Sequence, residues 1–186
     1  MQSVVYLREM LSQIASSEHF VFSRKELKVF LAGKAEQNIN MILSRCVKAG
    51  FLKRICNGLF LYAKVSFDSS IVLPKVVSKL RGNSLNYISM ESVLCEEGFI
   101  SQQMMNWLVV MTGGRSGIID CGDFGSVEFI HTQKKISTIS KNIHLDRRTG
   151  LLKADATLAY RDMVSAKRKS LDLVNKDLIL GADKND

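Results

Sequence analysis

Apolar side chains recur at helical spacing over the first fifty residues and at strand spacing directly after them. In SVVYLREMLSQIA, Val4, Val5, Leu7, Leu11 and Ile14 fall near one face of a helix. A second helix is predicted from Ser23, whose hydroxyl can cap open backbone N–H groups while Glu26, three residues on, reaches back as in a capping box. Leu27, Phe30 and Leu31 supply its buried stripe, and Gly33 ends it. A third helix runs from about Ala35 to Lys48, with Ile39, Ile42, Leu43, Cys46 and Val47 inward. Two apolar runs, FLKRIC and LFLY, then follow with only Asn57-Gly58 between them, which reads as a tight β-hairpin. Asn-Gly is favoured where both central residues take positive φ, so a type I′ turn is expected.

The patterning changes after this hairpin. A polar patch, FDSS, and a short apolar run, IVL, precede the single proline, Pro74. A boundary near residue 65 divides the chain into 1–65 and 66–186. Ser89 is placed as the N-cap of MESVLCEEG, with Gly98 as its stop. Residues 107–131 read as β structure, in the runs WLVVMT, GIIDC and SVEFIHT with glycine-rich turns at 113–117 and 122–125. From Asp155 to about Leu180 the helical pattern returns, with Tyr160, Met163, Val164, Leu171, Val174 and Leu178 near one stripe. The expected class is α+β: an N-terminal winged helix-turn-helix followed by a mixed α/β C-terminal domain.

Composition narrows the function classes. Apolar residues make up 46% of 186 and mean hydropathy is +0.05, which is globular composition with enough chain to bury a core. No apolar run approaches the roughly 20 residues that a membrane span needs. MQSVVYLREM carries Arg8 and Glu9 within its apolar pattern, so no signal peptide is read there. Cys46, Cys56, Cys95 and Cys121 form no CxxC pair, so metal-site spacing is absent and reduced thiols in a cytoplasm are expected. The net charge of +8 is uneven: residues 1–65 carry ten Lys/Arg against four Asp/Glu, residues 66–132 four against seven, and residues 133–186 twelve against seven. A basic first third suits a polyanionic partner, because Lys and Arg release counterions condensed on phosphates.

That charge lies on the predicted helices and hairpin. With Ile39 at the centre of the buried face, Gln37, Met41, Ser44 and Lys48 stand opposite it, and Asn40 and Arg45 flank that strip. Gln and Asn can pair with adenine and Arg with guanine, so the face suits the major groove. In the hairpin, Lys53 and Arg54 are placed to hold phosphates, with Asn57 at the turn, and Arg24 and Lys25 begin the second helix. The run Lys167-Arg168-Lys169 reads either as a solvated helix face or as a second contact for phosphate or an acidic partner. A three-helix unit with a hairpin also serves as a protein-docking module, and an ordinary transcriptional regulator is a further alternative.

Catalytic chemistry finds little support. TGGRSGIIDCGDFG invites a nucleotidyltransferase reading, but on a strand Asp120 and Asp123 point to opposite faces. No GxxxxGK[ST] phosphate cradle is present, and His19, His131 and His144 are linked by no motif to a cysteine nucleophile. Met104, Met105 and Trp107 are expected in the core, and His131 at a strand end. No enzyme, metal or cofactor is expected.

The segment FSRKELKVFLAG…INMILSRCVKAGFLKRICNGLFLY resembles the winged helix of AbiEi-type antitoxins, from type IV toxin–antitoxin systems of prokaryotic phage defence. YISMESVLCEEGFIS at 87–101 is similar to the helix that opens that family's second domain, and LLKADATLAYRDMVSAKR at 151–168 to its late helix. The resemblance covers roughly residues 20–170 in patches, and the order of the three patches is its most specific feature. Asp155-Ala156 stands where the family usually has Pro-Glu, and Asp155 remains a suitable N-cap. The resemblance implies a repressor that binds inverted repeats in its own promoter. It also implies a second domain that counteracts a nucleotidyltransferase-like toxin encoded alongside.

Overall fold

The computed structural model describes residues 2–101 and 105–175. The chain divides into two compact units, Met1–Lys79 and Leu80–Asp186, so the first extends past the boundary expected near residue 65.

The first unit contains α1 (Gln2–Ile14), β1 (Val21–Ser23), α2 (Arg24–Phe30), α3 (Glu36–Lys48), β2 (Leu52–Cys56) and β3 (Leu59–Tyr62). The capping box forms: Ser23 Oγ accepts from the Glu26 N–H at 3.2 Å, and Glu26 Oε2 accepts from the Ser23 N–H at 2.7 Å. Lys79 pairs with the other oxygen of Glu26. The three strands form an antiparallel sheet in the order β1-β3-β2, and every residue of central β3 is buried. Leu7, Leu11, Phe22, Leu27, Ile39, Leu43, Cys46 and Phe51 close the core between helices and sheet. Each large side chain buried there contributes about 1.5–3 kcal/mol relative to exposure.

The hairpin forms where expected, but its turn is not type I′. Gly58 takes positive φ (78°) and Asn57 does not. A β-bulge between Arg54 and Cys56 shifts the pairing, so that Cys56 faces Leu59 while Arg54 faces Phe60. The bulge supplies twist that a primed turn would otherwise provide.

A 3₁₀ turn, Ser69–Ile71, capped by Asp68, leads into α4 (Val72–Arg81). Pro74 lies in the first turn of α4, where its missing N–H has no helical partner to lose.

The second unit holds β4 (Asn86–Ile88), α5 (Glu91–Glu96), β5 (Trp107–Thr112), β6 (Gly117–Asp120), β7 (Ser126–His131), α6 (Ile136–Ile139), β8 (Ile143–Asp146), β9 (Leu151–Ala154) and α7 (Ala156–Ser165). Its six strands make one mixed sheet in the order β6-β7-β5-β4-β9-β8. The pairs β5/β7 and β4/β9 are parallel and the other three antiparallel. Tyr87, Val109, Val110, Val127, Phe129, Ala159 and Met163 are fully or almost fully buried.

Several expectations are corrected in this unit. Ser89 caps nothing: the N-cap of α5 is Met90 at φ 55°, and the buried Ser89 hydroxyl donates to Asp162 Oδ2 at 2.7 Å. The β8–β9 hairpin is additional to the expected elements. Its turn is held by Asp146, which accepts from the Arg148 N–H at 2.9 Å and the Thr149 hydroxyl at 2.7 Å. Asp155 does cap α7, accepting from the Leu158 N–H at 2.7 Å. That helix ends at Ser165 instead of running on towards Leu180. Lys167 takes φ 53°, and the Arg168 N–H donates back to the Met163 carbonyl at 3.1 Å, a left-handed close made without glycine. Residues 169–173 continue as a 3₁₀ turn. Met105 is 79% exposed and Trp107 half-buried, so neither is core. Met104, Leu178 and Leu180 lie outside the described residues.

Candidate nucleic-acid interface

Helical periodicity sorts α3 cleanly. Ile39, Ile42, Leu43 and Cys46 are buried, while Gln37, Asn40, Met41, Ser44, Arg45 and Lys48 are exposed. Burial pushes the Cys46 thiol up to about 11, so it is an inert core group. Arg45 lies along the outer face and donates to Met41 Sδ at 3.6 Å.

Between α3 and the β2–β3 hairpin runs a groove of about 630 Å³. Leu43, Val47 and Phe60 contribute its apolar lining, and Arg24, Asn40, Ser44, Arg54 and Asn57 its polar groups. Arg24 is held from three sides. Its backbone N–H donates to the Gly58 carbonyl at 2.7 Å, tying the start of α2 to the hairpin turn. Its Nε donates to Asn40 Oδ1 at 3.1 Å, and its Nη2 pairs with Glu36 Oε1 at 2.7 Å. On the hairpin side, Arg54 donates from Nη2 to Asn57 Oδ1 at 3.2 Å and from Nε to the Cys56 carbonyl at 3.4 Å.

The structure therefore gathers Arg24, Asn40, Ser44, Arg54 and Asn57 in one groove. Gln37, Met41, Arg45 and Lys48 stand on the outer face of α3, and Lys25 and Lys53 lie outside the groove lining. Glu36 is a member of this cluster that the sequence reading does not name. It is an exposed carboxylate in the first turn of α3, bound by Lys28 at 2.9 Å as well as by Arg24. Hydrogen bonds from Lys28 and Arg24 hold its carboxyl below the usual glutamate range. An acid in a helix's first turn is a legible signal, since it complements the positive end of the dipole.

Of the basic run in the second unit, Lys167 is exposed, but Arg168 is not available as a phosphate contact. Its Nε bonds Glu91 Oε1 at 2.7 Å, and its two terminal nitrogens bind the Glu128 carboxylate at 2.7 and 3.0 Å. Burial opposes the charge, but the bonds to Glu128 and Glu91 raise the guanidinium above its ordinary pKa. Trp107 Nε1 and the Ser170 hydroxyl complete this cluster, donating to Glu128 and Glu91 respectively. Asp162, which is fully buried, gathers the Tyr87 and Ser89 hydroxyls and the Lys134 ammonium. Asp120 spends one oxygen on the Gly122 N–H at 2.8 Å, and Asp123 lies in the following 3₁₀ turn. Among the described residues no group of three His, Cys, Asp or Glu is placed to hold a metal ion, and no helix is long and apolar enough to cross a membrane. His131 ends β7 as expected, with Nδ1 at 2.8 Å from the Gly114 carbonyl.

The chain matches no family model and no curated protein. It is similar to a solved structure, that of the RV2827C protein from Mycobacterium tuberculosis, with a TM-score of 0.55 at 12% identity. The match covers 88% of this chain and 60% of that one, so the present chain spans under two thirds of the mycobacterial protein. A likeness at this identity establishes a shared α+β fold.

Proposed function

We propose that the first unit is a winged helix-turn-helix that binds promoter DNA, with α3 as the recognition helix and the β2–β3 hairpin as the wing. The whole chain then acts in the cytoplasm as an AbiEi-type antitoxin. It represses its own operon at inverted repeats and counteracts a nucleotidyltransferase-like toxin through the second unit. The observation that carries the DNA reading is the groove lined by both Arg24 and Arg54 beside the exposed polar face of α3. Two arginines and two amides at the junction of helix and hairpin suit a backbone phosphate with base edges beside it. The antitoxin reading is supported by the ordered resemblance of the three sequence patches.

The test is a titration of the full chain against the duplex upstream of its gene over a salt series. Specific binding should exceed that to scrambled duplex, with log K falling by about 0.9 per log unit of salt for each phosphate neutralised. Equal affinity for scrambled duplex at moderate salt refutes the repressor reading. Failure of the chain to relieve growth arrest by the adjacent gene product refutes the antitoxin reading.

A further inference from the structure

We propose that the first unit pairs with a second copy of this chain through the outer face of α1 and the end of α2. α1 carries two stripes. Val4, Leu7, Leu11 and Ile14 turn to the core, while Gln2, Val5, Tyr6 and Glu9 recur at the three- and four-residue steps that make a second face. Val5 and Tyr6 are 45% and 48% exposed, and Val29, near the end of α2, is 71% exposed. These three are not scattered. With Glu9 and Lys34 they line one groove of about 830 Å³, which shares no residue with the groove between α3 and the hairpin. Apolar surface gathered in this way marks a docking site.

The charges of this face select its occupant. Residues 1–65 carry ten Lys/Arg against four Asp/Glu, so two copies repel over most of this unit. The groove is the exception, because its charged lining is one acid, Glu9, and one base, Lys34. Both are exposed, and among the described residues neither side chain has an ion-pair partner within the chain. A contact about a two-fold axis sets the same patch on both sides, so Glu9 of each copy meets Lys34 of the other and one pairing is made twice. A uniformly acidic or basic partner would instead meet a like charge. Shape agrees with charge: each copy presents a groove and, at its edge, the projecting Val29 that fills the other's.

The experiment sediments the full chain without DNA over a concentration series, so its outcome is separate from that of the repressor reading. A reversible dimer is expected, and Val29→Ser, a change at an exposed position, should weaken it. Glu9→Lys and Lys34→Glu each set like charges together at both pairings of a dimer. Each variant alone should therefore dimerise about tenfold more weakly than the parent at low salt. Mixed in equal amounts, the two should recover a dimer, because each then offers the charge that the other lacks. That recovery also shows both variants to be folded. A chain that stays monomeric at every concentration overturns the proposal and leaves the groove to a small apolar ligand or another protein. A dimer that none of the three changes weakens overturns it as well, and so does a mixture that associates no better than its components.

Discussion

Replacing Arg168 by methionine removes the charge that neutralises two carboxylates at once. Glu91 has a side chain only 3% exposed and Glu128 one 16% exposed, while that of Arg168 itself is 22% exposed. Glu91 Oε2 is buried and already without a partner, so Arg168→Met leaves that carboxylate with the Ser170 hydroxyl as its remaining hydrogen bond. Removing one partner of a buried ion pair costs about 3–5 kcal/mol, and the partial exposure of the guanidinium places this case near the lower figure. At a denaturant dependence of about 1–3 kcal/mol/M, the urea midpoint of the second unit should fall by roughly 1–3 M. Trp107, the chain's single tryptophan, donates to Glu128 from within the same cluster, so its fluorescence follows the unit concerned. Adding Glu91→Gln should recover part of the loss. Lys167→Ala and Lys169→Ala, outside this cluster of bonds, should stay within about 0.5 kcal/mol of the parent. An Arg168→Met midpoint indistinguishable from that of Lys169→Ala would refute the internal role assigned to this guanidinium.

Lys53→Ala with Arg54→Ala should weaken binding to every duplex alike and lower the salt slope by about 0.9 for each phosphate no longer neutralised, read from the same salt series. Ser23→Ala should cost about 1 kcal/mol by removing the N-cap, measured by circular dichroism in urea. Burial raises the Glu26 carboxyl, but bonds from Lys79 and from the Ser23 N–H and hydroxyl outweigh it and lower its pKa. Its stabilising contribution is therefore present above the unfolded value and lost as pH falls through the folded one, and Glu26→Gln should flatten that acid limb. Gly125→Ala should cost at least about 3 kcal/mol, from adverse backbone conformation together with overpacking. Gly125 sits at φ +97°, and an added Cβ would lie 1.8 Å from the Asn106 carbonyl oxygen, so near-parental stability would refute the close approach.

Features fixed by neighbours a few residues away are legible in the sequence. The Ser23–Glu26 box, the α3 stripe and the strands of 107–131 all rest on spacing within one element. Misreadings arise where a distant partner claims a side chain. Ser89 looks like a cap until Asp162, 73 residues on, takes its hydroxyl. Arg168 looks like part of a basic surface until Glu91 and Glu128, 77 and 40 residues away, draw it inward. The end of α7 leaves no mark, because Lys167 adopts a conformation for which glycine is the usual signal. The Asn-Gly pair announces a turn, yet its geometry is decided by a bulge on the strand before it. Within the groove, the residues are nameable one by one. That Arg24 and Arg54 bond the oxygens of Asn40 and Asn57 requires the fold.

The bond from the Arg24 N–H to the Gly58 carbonyl is made by main-chain atoms alone. Substitution of the Arg24 side chain leaves those atoms in place, short of a proline at that position. The groove positions 24, 54 and 57 thus hang on a main-chain frame that does not depend on their side chains. Such a frame can exchange one set of polar groups for another without refolding. On the reading proposed for the first unit, protein and DNA site could then diverge together in small steps, each leaving a competent scaffold behind.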